Sequence, residues 1–253
     1  ILKHQNMTQA IFYDWKSNLE INILINRVLG LWPDGDESFK PGLYVVYSGI
    51  LVILAACHLL TQTIKLYMVR DDIEALAGTM YITLTLMLAA IKTFFVLVRM
   101  KIIKKCFVTL RTNYLFQPRN QNQQLIIQRS VDLWKIMLKV LLGAFSGFTV
   151  FVLIPILINS GDKKLPFLAW YPFRTDSFPA FAIACVFQFA FTTYLSLSCI
   201  FVDVLVCVFN MYIGCQFDLL SDNLRNLFMK DNTHAEAREN LRRCILHHKD
   251  ILS

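Results

Sequence analysis

The feature that most constrains this chain is a set of four long apolar runs, at residues 43–68, 75–98, 136–158 and 178–202, the last with no charged residue at all. A hydrocarbon core about 30 Å thick is crossed by about 20 residues of α-helix rising about 1.5 Å each. Lipid offers no water to unpaired backbone groups, so only helices or closed barrels span it, and these runs are too long and too unalternating for barrel strands. The fourth run stays apolar to Phe209. A helix over 178–209 would be about 48 Å long, so its inner end is expected to project beyond the bilayer. That places Asp203 near or below the interface, solvated or paired.

Composition agrees with a membrane class. The chain is 56% hydrophobic and 17% charged, more apolar surface than one soluble core requires. Its net charge of +7 does not indicate nucleic acid, because the basic residues collect in particular loops. Segments 1–42, 99–135 and 210–253 carry 4, 8 and 6 Lys and Arg residues, whereas the loops on the other side hold only Arg70, Lys163, Lys164 and Arg174. By the positive-inside rule the amino terminus is cytoplasmic. Lys65, Lys92 and Lys139 lie near enough to span ends to be expected to snorkel. The seven cysteines form no CxxC pair and fall mostly in apolar runs, so neither a disulfide framework nor a zinc site is expected. The chain starts at Ile1 and stops at Ser253 within a helical pattern, as a fragment would, and its first span begins too late for a cleaved signal peptide.

The expected organisation is an amino-terminal cytoplasmic segment over 1–42, four transmembrane helices within 43–210, and a cytoplasmic helical segment over 211–253. In the first, Ile11, Trp15, Leu19 and Ile23 recur at helical spacing, suiting a helix at the interface or packed on the spans. The Gln-rich stretch 112–128 reads as a loop before a helix cap at Ser130. Phe217, Leu220, Leu224, Leu227 and Phe228 form an amphipathic stripe that packs on the chain's own helices or on another subunit. Leu241, Ile245, His248 and Leu252 form a further stripe.

No catalytic constellation is present, since there is no GxSxG, GxGxxG, Walker or HExxH motif and no carboxylate pair inside the spans. His58 is read as a packed or hydrogen-bonded helix residue. The tandem His247-His248 is not a metal site, because adjacent helical positions point about 100° apart. No cofactor is implied. The outer ends of three spans carry aromatic, small and hydroxyl side chains on single faces: Met80, Tyr81 and Leu84; Phe145, Phe148, Thr149 and Val152; Phe181, Cys185, Phe189 and Thr192. Such residues line small-ligand pockets, and they equally make ordinary interhelical packing.

Several stretches resemble the insect odorant receptors. Gly30-Leu31-Trp32-Pro33 precedes the first span, and the outer loop runs Leu165-Pro166-Phe167-Leu168-Ala169-Trp170-Tyr171-Pro172-Phe173. Cys215-Gln216-Phe217-Asp218-Leu219-Leu220 and Leu246-His247-His248-Lys249-Asp250-Ile251-Leu252 look like the segments leading into the family's fifth helix. The resemblance implies an all-α multi-span membrane protein with a cytoplasmic amino terminus, this chain covering four spans and the start of the fifth helix of seven. It further implies a non-selective cation channel, built as a heterotetramer with the shared odorant receptor co-receptor and gated by a small volatile organic ligand in the outer half of the bundle. That assigns the three faces above to ligand binding and places the pore in a seventh helix beyond this chain.

A G-protein-coupled chemoreceptor would put the amino terminus outside, and the outer loop 159–177 has no Cys for the disulfide common there. A secondary transporter would show related halves and broken helices. A cytoplasmic amino terminus predicts that the sequon Asn6-Met7-Thr8 stays unglycosylated. Unchanged gel mobility after glycosidase treatment of the cell-expressed protein is the expected result.

Overall fold

A computed structural model describes Tyr13 and residues 19–33, 42–158, 165–229 and 234–252, with the side chains of 151–153, 155–158 and 228–229 excluded. The described elements are helical: α1 (Glu20–Val28), α2 (Leu43–Met68), α3 (Ile73–Thr112), a 3₁₀ turn at Tyr114–Phe116, α4 (Gln121–Ile158), α5 (Phe178–Met229) and α6 (His234–Leu252). Four of them, α2, α3, α4 and α5, are long and apolar enough to cross a membrane. The 52 residues of α5 extend about 78 Å. Of the expected amino-terminal stripe, Ile11 and Trp15 lie outside the described residues, while Leu19 and Ile23 are buried.

Helix starts follow local capping chemistry. Asp72 Oδ1 accepts from the backbone N–H of Glu74 at 3.2 Å and Ala75 at 3.1 Å, opening α3. At α4 the cap is Asn120, whose Oδ1 accepts from Gln123 N at 2.8 Å while Gln123 Oε1 reaches back to Arg119 N at 2.8 Å. This reciprocal pair displaces the cap expected at Ser130, which lies inside α4 with its hydroxyl turned to Ile126 O at 3.3 Å. The loop expected over 112–128 shrinks accordingly to the short connection around the 3₁₀ turn, because glutamine-rich sequence is a good helix former once capped.

The chain divides into two compact units, a larger one of Asn22–Lys101 and Lys139–Asp203 and a smaller one of Ile1–Ile21, Ile102–Leu138 and Val204–Ser253. In the larger unit, Ala55, Leu86, Ala89 and Leu195 from α2, α3 and α5 form a core edged by Leu59, Ile82 and Phe191. Here α1 ends in a Schellman turn, with Leu31 N on Asn26 O at 2.8 Å and Gly30 N on Arg27 O at 3.1 Å, and with Gly30 at φ 76°. A Cβ on Gly30 would be strained and would also lie 3.3 Å from Ser48 Cα, so glycine is required twice over. Carbonyls at this helix end also accept from hydroxyls. Tyr44 bonds Arg27 O at 3.0 Å, Tyr47 bonds Val28 O, Tyr194 bonds Leu29 O at 3.3 Å and Ser48 bonds Gly30 O at 2.7 Å.

Lys92 does not simply snorkel. Its Nζ lies 3.0 Å from both Asp203 carboxylate oxygens, joining α3 to α5, and Cys199 Sγ sits 3.8 Å away. Asp203 thus takes the paired alternative.

In the smaller unit α6 packs with its other stripe. Cys244 and His247 are buried, and Cys244 joins Leu220 and Leu227 with Ile251 alongside, whereas Leu241, Ile245 and Leu252 are exposed. The helix expected from that stripe is present, and its packed face is held by polar bonds that apolar counting ignores. His247 Nε2 lies 3.0 Å from Gln216 Oε1, Gln216 Nε2 donates to Phe116 O at 3.4 Å, and Asn113 Nδ2 donates to Asp250 Oδ2 at 2.8 Å. Since Gln216 gives its amide proton to Phe116, His247 must be the donor at Nε2.

Burial pushes the His247 pKa down from 6.5 to about 4, with the Arg119 guanidinium and His248 acting in the same direction and Asp250 against them. The unfolded chain takes up this proton near pH 6.5 and the folded chain only near pH 4. Stability is therefore full above pH 6.5 and falls as pH drops toward 4. Thermal melts of the purified protein across this range should show that loss, and His247→Phe should lessen it.

Candidate ligand site

Within the larger unit, polar side chains buried among apolar helices form a connected chain. His58 on α2 is fully buried, with Nε2 3.1 Å from Thr192 Oγ1 of α5 and 3.3 Å from Gln62 Nε2 one turn along. Gln62 Oε1 in turn lies 3.4 Å from Thr83 Oγ1 of α3. His58 thus behaves as the packed, hydrogen-bonded residue expected of it. The edge of its ring also meets Phe187, at 5.9 Å between centroids.

The loop 165–173 is fastened onto this group. Gln188, fully buried on α5, accepts from Phe167 N at 3.3 Å and donates to Phe167 O at 2.9 Å, treating the loop as a neighbouring strand would. Trp170 N donates to Thr61 O at 2.9 Å, and Tyr171 OH donates to Ala184 O at 3.4 Å. Burial pushes the Tyr171 hydroxyl up to about 12, so it stays a donor at every physiological pH.

Between the end of α2, the first turns of α3 and this loop lies an open cleft of about 420 Å³. Gln62 and Thr79 form its polar part, Ile82, Pro166, Phe167 and Leu168 its apolar wall, and Asp72 and Glu74 its rim.

The residues expected to bind ligand are distributed unevenly. Met80, Tyr81 and Leu84 are 45%, 74% and 49% exposed, on the face of α3 turned away from the core. Phe148 is also exposed, Phe145 and Thr149 are half-buried, and the Val152 side chain lies outside the described residues. On α5, Phe181, Cys185, Phe189 and Thr192 are all half-buried, and Thr192 joins the polar chain through His58. Sequence reasoning singled out charged groups and aromatic stripes and so passed over Gln62, Thr83 and Gln188. The signal was available, because an uncharged amide inside an apolar run also requires a partner.

A family profile described as 7tm Odorant receptor matches residues 72–253. The chain belongs to that family. The insect olfactory receptor OR5 from Machilis hrabei in complex with eugenol superposes with a TM-score of 0.71 at 17% identity, over 94% of this chain and 64% of that one. A second structure of OR5 superposes with a TM-score of 0.66 at 15% identity. These likenesses establish an insect olfactory receptor fold, of which the present odorant receptor chain spans about 64% of the OR5 length. No curated protein matches the sequence. Family membership and the four long apolar helices make this a multi-pass membrane protein.

The Gln188 clamp generates a test in this odorant receptor. Gln188→Leu keeps the side-chain volume close but leaves the Phe167 N–H and C=O without their partner, at a cost of about 1–3 kcal/mol. Amide hydrogen exchange across 165–171 is expected to accelerate; exchange rates equal to wild type would show that the clamp does not hold the loop.

Proposed function

We propose that this receptor is the odorant-binding subunit of a ligand-gated, non-selective cation channel in the cell membrane, assembled with the odorant receptor co-receptor as a heterotetramer. The family match over residues 72–253 carries the reading, and the receptor OR5, with the same fold, has a structure in complex with eugenol. The charge distribution supports an orientation in which the amino terminus is cytoplasmic and the α2–α3 turn and the 165–173 loop face outward.

The volatile ligand then binds in the outer half, against the α3 face of Met80, Tyr81 and Leu84, the α4 face of Phe145, Phe148, Thr149 and Val152, and the α5 stripe of Phe181, Cys185, Phe189 and Thr192. These are large apolar surfaces with three hydroxyls and a thiol, the chemistry of a dry pocket that orients its ligand with few polar contacts. Binding opens the channel only to the extent that the ligand fits the open arrangement better than the closed one. A volatile of about 10 heavy atoms gains at most roughly 0.8 kcal/mol per atom, which limits affinity to about micromolar. Odour selectivity must then come from shape.

Full-length receptor co-expressed with co-receptor should pass cation current when an odorant panel is applied, and silence despite surface delivery would oppose the channel reading. Phe148→Ala and Phe189→Ala should each shift the odorant dose–response curve by about tenfold or more, since removing an aromatic ring that packs on the ligand costs about 1.4 kcal/mol or more. Unchanged curves at normal surface expression would remove these residues from the pocket.

A further inference from the structure

A hydroxyl has one proton to give, and where each threonine of the spans spends it decides what a ligand meets there. Thr79 donates to Ala75 O at 2.7 Å, Thr93 to Ala89 O at 2.8 Å and Thr149 to Phe145 O at 2.9 Å, each within its own helix. Thr192 makes no such bond. Among the described residues its hydroxyl meets one partner, His58 Nε2 at 3.1 Å. If Nε2 carries a lone pair, Thr192 donates to it; if Nε2 carries the ring proton, Thr192 accepts and keeps its own.

The surroundings of His58 decide between the two. The residue is fully buried, and its Nδ1 has no hydrogen-bond partner among the described residues. A ring protonated at Nδ1, whether neutral or charged, would bury an unpaired N–H there, whereas a proton on Nε2 leaves only a lone pair, the lesser cost. Gln62 fits the same assignment with its amide turned over. Its carbonyl then accepts from His58 Nε2 at 3.3 Å, and its NH₂ donates at 3.4 Å to Thr83 Oγ1, which gives its own proton to Thr79 O at 2.8 Å. Both partners of Nε2 are then acceptors, and the Thr192 proton is unspent.

Thr192 is half-buried on the α5 stripe, two turns beyond Cys185 and within about 20° of it around the helix. We infer that Thr192 is the hydrogen-bond donor of the odorant site, and that it selects ligands whose polar group is an acceptor, the carbonyl compounds: aldehydes, ketones and esters. This rests on the α5 stripe being part of the odorant site, as proposed above, and adds the ligand class and the residue that reads it. A hydrocarbon of the same shape would cover the hydroxyl and leave its proton without a partner, and a site built around a donor rejects the analogue that lacks the acceptor. His58, buried behind Thr192, is a positioning residue that sets which way this hydroxyl is polarised.

Ligand-observed NMR on the full-length receptor in nanodiscs compares two shape-matched pairs, benzaldehyde with styrene and acetophenone with isopropenylbenzene, in which C=O replaces C=CH₂. The ratio of carbonyl to alkene affinity should fall about tenfold in Thr192→Val, which keeps the shape and removes the hydroxyl, and should survive in Thr192→Ser. The buried polar chain tolerates Thr192→Val, because His58 Nε2 keeps the Gln62 carbonyl. Nitrogen NMR of isotopically labelled histidine should place the His58 proton on Nε2. A ratio unmoved by Thr192→Val, a ratio lost equally in Thr192→Ser, a His58 proton on Nδ1, or no binding of either carbonyl compound would each overturn the inference. Phe189→Ala tells its failure from that of the site itself. If Phe189→Ala weakens both members of each pair while the ratio ignores Thr192, the site stands without this donor; if neither variant changes any binding, the α5 stripe is not the site.

Discussion

Hydrocarbon contains no water, so each polar group carried into the membrane must find its partner inside the protein. That requirement shapes this chain at every scale. Along the spans, hydroxyls turn back onto the carbonyl one turn earlier: Thr63 on Leu59 O at 2.8 Å, Thr93 on Ala89 O at 2.8 Å, Ser146 on Leu142 O at 2.8 Å and Thr149 on Phe145 O at 2.9 Å. Each of these residues is thereby made neutral to its surroundings and free to sit beside apolar neighbours. Where a helix ends, the same requirement recruits side chains from other helices, and the four carbonyls at the end of α1 are met by Tyr44, Tyr47, Ser48 and Tyr194. The Gly-Leu-Trp-Pro stretch is therefore a joint, in which the glycine lets α1 stop against α2.

Residues that cannot satisfy themselves locally do more than stabilise. His58, Gln62, Gln188 and Thr192 each reach across to another element, so α2, α3, α5 and the 165–173 loop share one set of bonds. Apolar packing tolerates small slides between helices, whereas a hydrogen bond is lost over a displacement of about an ångström. A ligand that inserts among such residues changes which partners are available. That is a discrete change of state rather than a graded one, and discrete alternatives are what the proposed gating needs.

How much of this could be read in advance follows from the same physics. The span at 43–68 was legible to the residue, because apolar length alone defines α2. The other long helices were legible only where they are apolar. α3 runs on to Thr112 and α4 starts at Gln121, through polar sequence whose helicity rests on caps and on bonds such as Gln123 Nε2 to Asp222 Oδ2 at 2.9 Å. Such partners are about 100 residues away in the chain and leave no local mark. On α6 the apolar stripe announced the helix but not its packed face, since His247 and Cys244 pack while Ile245 is left outside. The faces proposed for the odorant were visible as composition; the cleft was not, because it is built from Gln62, Thr79 and a loop that only the fold brings together.

The Lys92–Asp203 pair shows the limit of reading charges one at a time. Each taken alone favours water, and the sequence argument accordingly sent Lys92 out along its flexible stem. Paired at 3.0 Å across α3 and α5, the two need not be carried apart to separate interfaces. Surface pairs of this kind add little to stability where water competes, and both side chains here keep substantial exposure, at 37% and 54%. What the pair does fix is register. Sliding α5 along α3 by one turn, about 5.4 Å, would separate the charges and strand them beside apolar neighbours, so the ion pair selects among helix alignments that apolar packing alone would leave nearly equivalent.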